Sequence, residues 1–176
     1  VWAVVIGIDG YAYYPLRGCV ADALTIKQYL EEDLLVPKER IQCLLGSADR
    51  SDNSNAPSST PSRANILSVL FGLATNHNIE HGDSIIIFFA GHGSRYPLSD
   101  DDDEPDFDEE HDNERSRKFV EVLCPMDRNT RADGSGALIP DITDRELNTI
   151  LSQISRTKGH RITIILDCCH AGSVTR

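Results

Sequence analysis

The segment ILDCCHAGS, residues 165–173, places an acid, two cysteines, a histidine and a small-residue turn directly behind an apolar run. A thiol is a poor nucleophile until it is deprotonated, and a nearby imidazole can lower its pKa, deliver a proton to a leaving group and orient the substrate. The segment AGHGSR supplies such an imidazole in His92, flanked by Gly91 and Gly93. Two glycines let the backbone bend and come close to a substrate, so the Gly93 amide could hold an oxyanion together with the amide of the nucleophile. A third segment, LRGCVADA, brings Cys19 and Asp22. The alternative is that His92 merely ends a strand and the thiols are inert packing residues. Zinc held by Cys168, Cys169 and His170 is a further rival, but adjacent ligands lack the usual Cys-x(2–4)-Cys spacing and no second pair is apparent. Because side chains alternate along a strand, Cys168 and Cys169 leave on opposite sides, and only one can share a cleft with His92.

Positioning these groups falls to elements that alternate along the chain. VWAVVIGID (1–9) reads as a short buried strand, and ADALTIKQYLEEDL (21–34) sets Ala23, Ile26, Tyr29 and Leu30 at helical spacing. RIQCLLG is a second strand, a Ser/Asn/Pro-rich loop fills 46–61, and SRANILSVLFGLATN is a helix with Ser62 as its N-cap. DSIIIFFAGHG is continuously apolar, which suits a strand covered on both faces of a parallel sheet. KFVEVLCPMD reads as a further strand, TDRELNTILSQIS as a helix capped by Thr143, and RITIILD as the last strand. Strand and helix by turns predict an α/β three-layer sandwich around a mostly parallel sheet. Ligands on such a sheet bind beyond the carboxyl ends of its strands, where the segments carrying Asp22, His92 and the cysteines all emerge.

The remaining bounds are compositional. A chain of 176 residues with 40% apolar content predicts one soluble domain with a real core. Seventeen basic against twenty-eight acidic residues leave a net charge of −11, which argues against nucleic acid or an anionic membrane as partner. No apolar run approaches the ~20 residues of a membrane span. Five cysteines, odd in number and without scaffold spacing, favour free thiols in a reducing compartment, cytoplasmic or nuclear.

In order and spacing, VWAVVIGIDGY, LRGCVADA, IIFFAGHGSR, VEVLCPMD, IPDITDREL and IILDCCHAGS resemble the caspase-like cysteine peptidases, and among them the type I metacaspases. Together these pieces span nearly the whole chain; the QAC[RQG]G signature of true caspases is absent. The resemblance implies a caspase-like fold and a Cys/His dyad in which the cysteine directly before histidine, Cys169, is the nucleophile, His92 its partner, and the Gly93 and Cys169 amides the oxyanion donors. It also implies an acidic pocket of Cys19, Asp22 and Asp167 that accepts Arg or Lys before the scissile bond. Charge argues the same way, since a buried carboxylate without a cation is costly. Asp22 could instead cap a helix and Asp167 end a strand. Arg17 keeps an aspartate-cleaving enzyme in view, and Ala90 stands where the family often has Ser, which removes one polar substrate contact. Opposed to a peptidase cleaving after Arg or Lys stands a non-catalytic caspase-like module used for binding or scaffolding.

Between Asp100 and Glu114, eleven of fifteen residues are Asp or Glu, and the insert at about 99–117 is expected to be a solvated loop. No cofactor is required by the chemistry. Many metacaspases use calcium as an activator, but the family's ligand positions hold Val120 and Glu121 here, with Arg176 near another, so a family-type calcium site is expected to be incomplete. The acidic strip could attract Lys/Arg-rich substrates, and ERSRK could be a cleavage site within the chain itself. The domain is read as residues 1–176, the large p20-like part, with the family's smaller p10-like segment as its expected partner beyond Arg176.

Overall fold

The structure, a computed structural model, describes residues 1–47, 60–97, 119–131 and 136–169. In chain order its elements are β1 (Trp2–Ile8), α1 (Cys19–Glu32), β2 (Ile41–Gly46), α2 (Arg63–Thr75), β3 (Ile85–Ala90), β4 (Gly93–Pro97), β5 (Phe119–Leu123), β6 (Ile142–Thr143), α3 (Asp144–Lys158) and β7 (Ile162–Asp167). β1, β2, β3 and β7 form one parallel sheet in the order β2-β1-β3-β7. This is the three-layer α/β/α sandwich predicted by the alternation of strand and helix.

Two apolar layers hold it. On one face Val4, Ile6, Ile87 and Phe89 pack with Ile66, Leu70 and Leu73 of α2 and with Leu147, Ile150 and Ile154 of α3. On the other, Ala3, Val5, Phe88 and Ala90 pack with Ala23 and Leu30 of α1. Each large side chain withdrawn from water in this way contributes about 1.5–3 kcal/mol before entropy is counted. β1 is buried at all its positions because helices cover it on both sides. β7, the last strand of the order, is covered by the described residues on one face only: Ile162, Ile164 and Leu166 pack inward, whereas Thr163, Ile165 and Asp167 are exposed. Ile26 is half-buried on α1 as its spacing predicts, but Tyr29 is 49% exposed, beside the stripe of Ala23, Ile26 and Leu30 that meets the sheet.

The helix ends follow their local chemistry. Ser62 accepts from the Asn65 amide at the start of α2, and Thr143 and Glu146 form a reciprocal capping box at the start of α3. An Arg63–Glu146 ion pair ties the two helix starts together. β4, β5 and β6 make a second, antiparallel sheet that sequence periodicity did not reveal, since Gly93–Pro97 has little strand character of its own. It matters here because it begins one residue after His92. The acidic insert, most of the loop at 46–61, and residues beyond Cys169, His170 and Arg176 included, lie outside the described residues. Among the described residues no helix is long and apolar enough to cross a membrane.

Candidate active site

Strand register brings the chosen residues to one edge. Gly7 lies opposite Ala90 across β1 and β3, and Ala90 opposite Asp167 across β3 and β7. Two residues further on, the three chains deliver Asp9, His92 and Cys169 past the carboxyl end of the sheet. Alternation separates the two cysteines as expected: Cys168 is half-buried against the core beneath α2 and α3, while Cys169 is exposed. Burial, followed by the charges of Cys169, Asp167 and Glu121, pushes the Cys168 thiol up to about 11, which leaves it a neutral packing residue near neutrality.

The Cys169 backbone rests directly on Gly93. A Cβ built on Gly93 would overlap the Cys169 carbonyl oxygen and sit 3.2 Å from Cys168 Sγ, so no larger residue can stand beside His92 here. The His92 main chain is fixed on both sides. Its N–H donates to the Tyr11 hydroxyl at 2.8 Å, and its carbonyl accepts from the Cys124 amide at 3.0 Å. The Tyr11 hydroxyl in turn donates to the Cys124 carbonyl at 3.0 Å. Because the bond from Cys124 runs to His92, the next pair, Gly93–Leu123, is the non-hydrogen-bonded pair of this ladder, which turns the Gly93 N–H away from β5.

The imidazole is oriented as well. Its ring centroid lies 4.5 Å from that of Tyr11, and Nε2 is 2.8 Å from the Tyr14 carbonyl oxygen. A carbonyl can only accept, so Nε2–H donates, and Nδ1 is left as the basic nitrogen. Tyr14 reaches this position with φ at +57°, a left-handed backbone directly before Pro15, where a non-glycine residue is strained.

Around Cys19 the acids converge. Burial first, then the charge and hydrogen bond of Asp9 and the charges of Asp167 and Asp22, push its thiol up to about 11. Asp167 shares the α1 face with its register partner Ala90, and Asp22 lies in the first turn of α1. Asp22 is not the helix cap. Gly18, with φ at +113°, gives no side-chain cap, and the orphan N–H groups of Cys19 and Val20 are taken by the Asp9 carboxylate at 3.0 and 3.3 Å. The Asp22 carboxylate stays exposed and available. Arg17 is exposed on the same loop.

Sequence reasoning missed Asp9, Tyr11 and the Tyr14 carbonyl. The first could have been suspected as an acid directly after a buried strand and before a Gly. Tyr14 contributes a main-chain atom and carries no such signal. It also missed a polar cluster behind His92, in which the Arg128 guanidinium binds the Asp141 carboxylate at 2.8 Å and the Tyr96 hydroxyl at 3.0 Å, and Tyr96 donates to Asp141 at 2.6 Å. The acidic insert and Arg176, on which the calcium expectation turns in part, lie outside the described residues. Val120 offers no oxygen, Glu121 a single carboxylate, and among the described residues no three His, Cys, Asp or Glu side chains converge as metal ligands.

A parallel sheet covered on both faces, with a histidine and a cysteine leaving neighbouring strands at its carboxyl edge, places the chain in the caspase-like class that its sequence resembles. The chain belongs to the metacaspases: the family described as Metacaspase, peptidase C14 domain, matches residues 2–176. It is 31% identical over 173 residues to Metacaspase-1B of Aspergillus terreus, covering 97% of this chain and 38% of that protein. It is likewise 31% identical over 172 residues to Metacaspase-1A of Aspergillus clavatus, covering 97% of this chain and 33% of the relative. The chain thus spans about a third of the length of the curated relatives it matches. A crystal structure of a Geobacter sulfurreducens protein superposes with a TM-score of 0.61 at 20% identity, over 98% of this chain and 52% of that one, and shares the fold.

Proposed function

We propose that the protein is a cysteine endopeptidase that cleaves after Arg or Lys. Cys169 is the nucleophile. His92 Nδ1 takes the thiol proton; Sγ attacks the scissile carbonyl carbon, forming the C–S bond while the carbonyl electron pair moves to oxygen. The Gly93 and Cys169 amides hold that oxyanion. As the C–N bond breaks, His92 returns the proton to the departing amine, and water then hydrolyses the thioester by the same route in reverse. Nε2–H remains bound to the Tyr14 carbonyl throughout, which keeps the ring in register.

The observation that carries this reading is the close seating of the Cys169 backbone on Gly93, one residue from an imidazole whose far nitrogen is already engaged. Preference for a basic residue is supported by the surroundings of Cys19: burial first and then three carboxylates raise its pKa, and a guanidinium or ammonium entering there would be paired rather than repelled. Asp9 is committed to the helix start, which leaves Asp22 and Asp167 to meet the substrate cation. The exposed face of β7, with Ile165 41% exposed, supports completion of the cleft by a p10-like segment of the same protein.

The test is turnover of fluorogenic peptides ending in Arg, Lys or Asp by the full-length protein and its Cys169→Ala variant. Cleavage of the Arg and Lys peptides, lost in the variant, is expected. Equal or better cleavage of the Asp peptide would move the specificity to Arg17, and absence of turnover with every peptide would favour a binding module.

A further inference from the structure

A cavity of about 410 Å³ opens beside His92 with walls of Tyr11, Tyr13, Tyr14, Ser94, Arg128 and Asn129. It is distinct from the acidic cluster: Cys19, Asp22 and Asp167 are absent from its lining. The two regions lie on opposite sides of the sheet edge. Cys19 begins α1 and packs with the core beneath that helix, whereas Tyr11 and Cys124 belong to the core beneath α2 and α3. His92 and Gly93 form the divide, and both line the cavity.

Polarity of the substrate follows from the proton. The departing amine must lie against His92 to be protonated, so the chain on its far side runs over His92, away from the acids that hold the residue before the scissile bond. We propose that this cavity is the subsite for the side chain immediately after the scissile bond, and that it selects a large apolar or aromatic residue there. The assignment rests on the peptidase reading above and names a second determinant of its substrate.

The lining fits that occupant. Tyr13 and Tyr14 are 73% and 85% exposed, large aromatic faces that the described parts of the chain leave uncovered, while Tyr11 beneath them is 4% exposed and forms the floor. The Arg128 guanidinium is already met by Asp141 and Tyr96, so it presents a planar wall that needs no anion. With Arg128 paired and no carboxylate in the lining, nothing in the cavity compensates a desolvated ammonium or guanidinium, so Lys or Arg directly after the scissile bond is disfavoured. Ser94 and Asn129 offer hydrogen bonds to the substrate main chain rather than a charge.

The experiment uses the full-length protein and internally quenched peptides with Arg before the scissile bond and Gly, Leu, Phe, Asp or Lys after it. Leu and Phe should exceed Gly in kcat/KM by about tenfold, with Lys lowest, as burial of one large side chain in a partly open pocket provides. In Tyr13→Ala the Phe-to-Gly ratio should collapse to within about threefold. Equal rates for Gly and Phe, or Asp ahead of Phe, would overturn the subsite, and the unmodified protein suffices to reveal either. An Arg chloromethylketone, which carries no residue after its reactive carbon, separates the two failures. Inactivation by it alongside flat peptide preferences rejects the subsite alone, whereas no inactivation and no cleavage of any Arg peptide rejects the peptidase reading and the subsite with it.

Discussion

Replacing Tyr11 by Phe removes one oxygen from the centre of the site and leaves the ring that packs on His92. That oxygen accepts from the His92 N–H at 2.8 Å and donates to the Cys124 carbonyl at 3.0 Å, and Tyr11 is 4% exposed. Water has poor access to replace it. Burial also pushes the phenol above its ordinary range, so the hydroxyl stays a donor throughout the pH range of an active peptidase. Leaving a buried donor unsatisfied costs about 1–3 kcal/mol, and the lost bond at the carbonyl about 1 kcal/mol more. The sum is ~2–4 kcal/mol, equivalent for a domain of this size to a fall in Tm of about 10 °C. Because the same bond sets the main chain at His92, kcat/KM for an Arg peptide should fall about 10- to 100-fold with the dyad itself intact. Urea denaturation and peptide kinetics on the full-length protein measure both. A stability change under about 0.5 kcal/mol together with unchanged kinetics would refute the role assigned to this hydroxyl.

Asp9→Ala should destabilise α1 by about 1–2 kcal/mol, as loss of a helix cap does, and should lower the Cys19 pKa from about 11 because a negative charge and a hydrogen bond are both removed; alkylation of Cys19 against pH reads this out. Gly93→Ala should abolish turnover, since its Cβ would overlap the Cys169 carbonyl oxygen, and a variant of normal stability that retains activity would contradict the seating described. Alkaline stability should decline from about pH 9. Burial first, then neighbouring carboxylates or thiols, raise Cys19 and Cys168 from 9.0 to about 11 and Cys124 to about 12, so these groups stay protonated in the folded chain while unfolded thiols ionise. Their contribution is complete below pH 9 and lost as pH rises through 11–12; denaturant midpoints across pH 8–11 follow it, and a flat profile would count against the burial of these thiols.

The main sheet and its helices were legible because each element carries its own signal. VWAVVIGI and IIIFFA are continuously apolar where two helical layers cover them, and Ser62 and Thr143 announce the helices they cap. At the candidate site, alternation along the last strand foretold that Cys168 and Cys169 leave on opposite sides, one half-buried and one exposed, while the choice of Cys169 came from the family resemblance. What escaped was relational. β4 exists because it pairs with β5 across the insert, and Gly93–Pro97 on its own shows no alternation. Asp9 looked like a strand end, yet it caps α1 through a contact ten residues away and so frees Asp22. Tyr14 acts through its carbonyl oxygen, an atom every residue possesses, and only the fold gives that atom its importance.

The most direct measurement is the site of covalent capture. Full-length protein treated with an Arg chloromethylketone at pH 7–8 and digested for peptide mass mapping should carry the label on Cys169, the exposed cysteine whose backbone sits on Gly93, with Cys168 unmodified and labelling lost in His92→Ala. A label on Cys168 or Cys19, or labelling of Cys169 at the same rate without His92, would contradict the account.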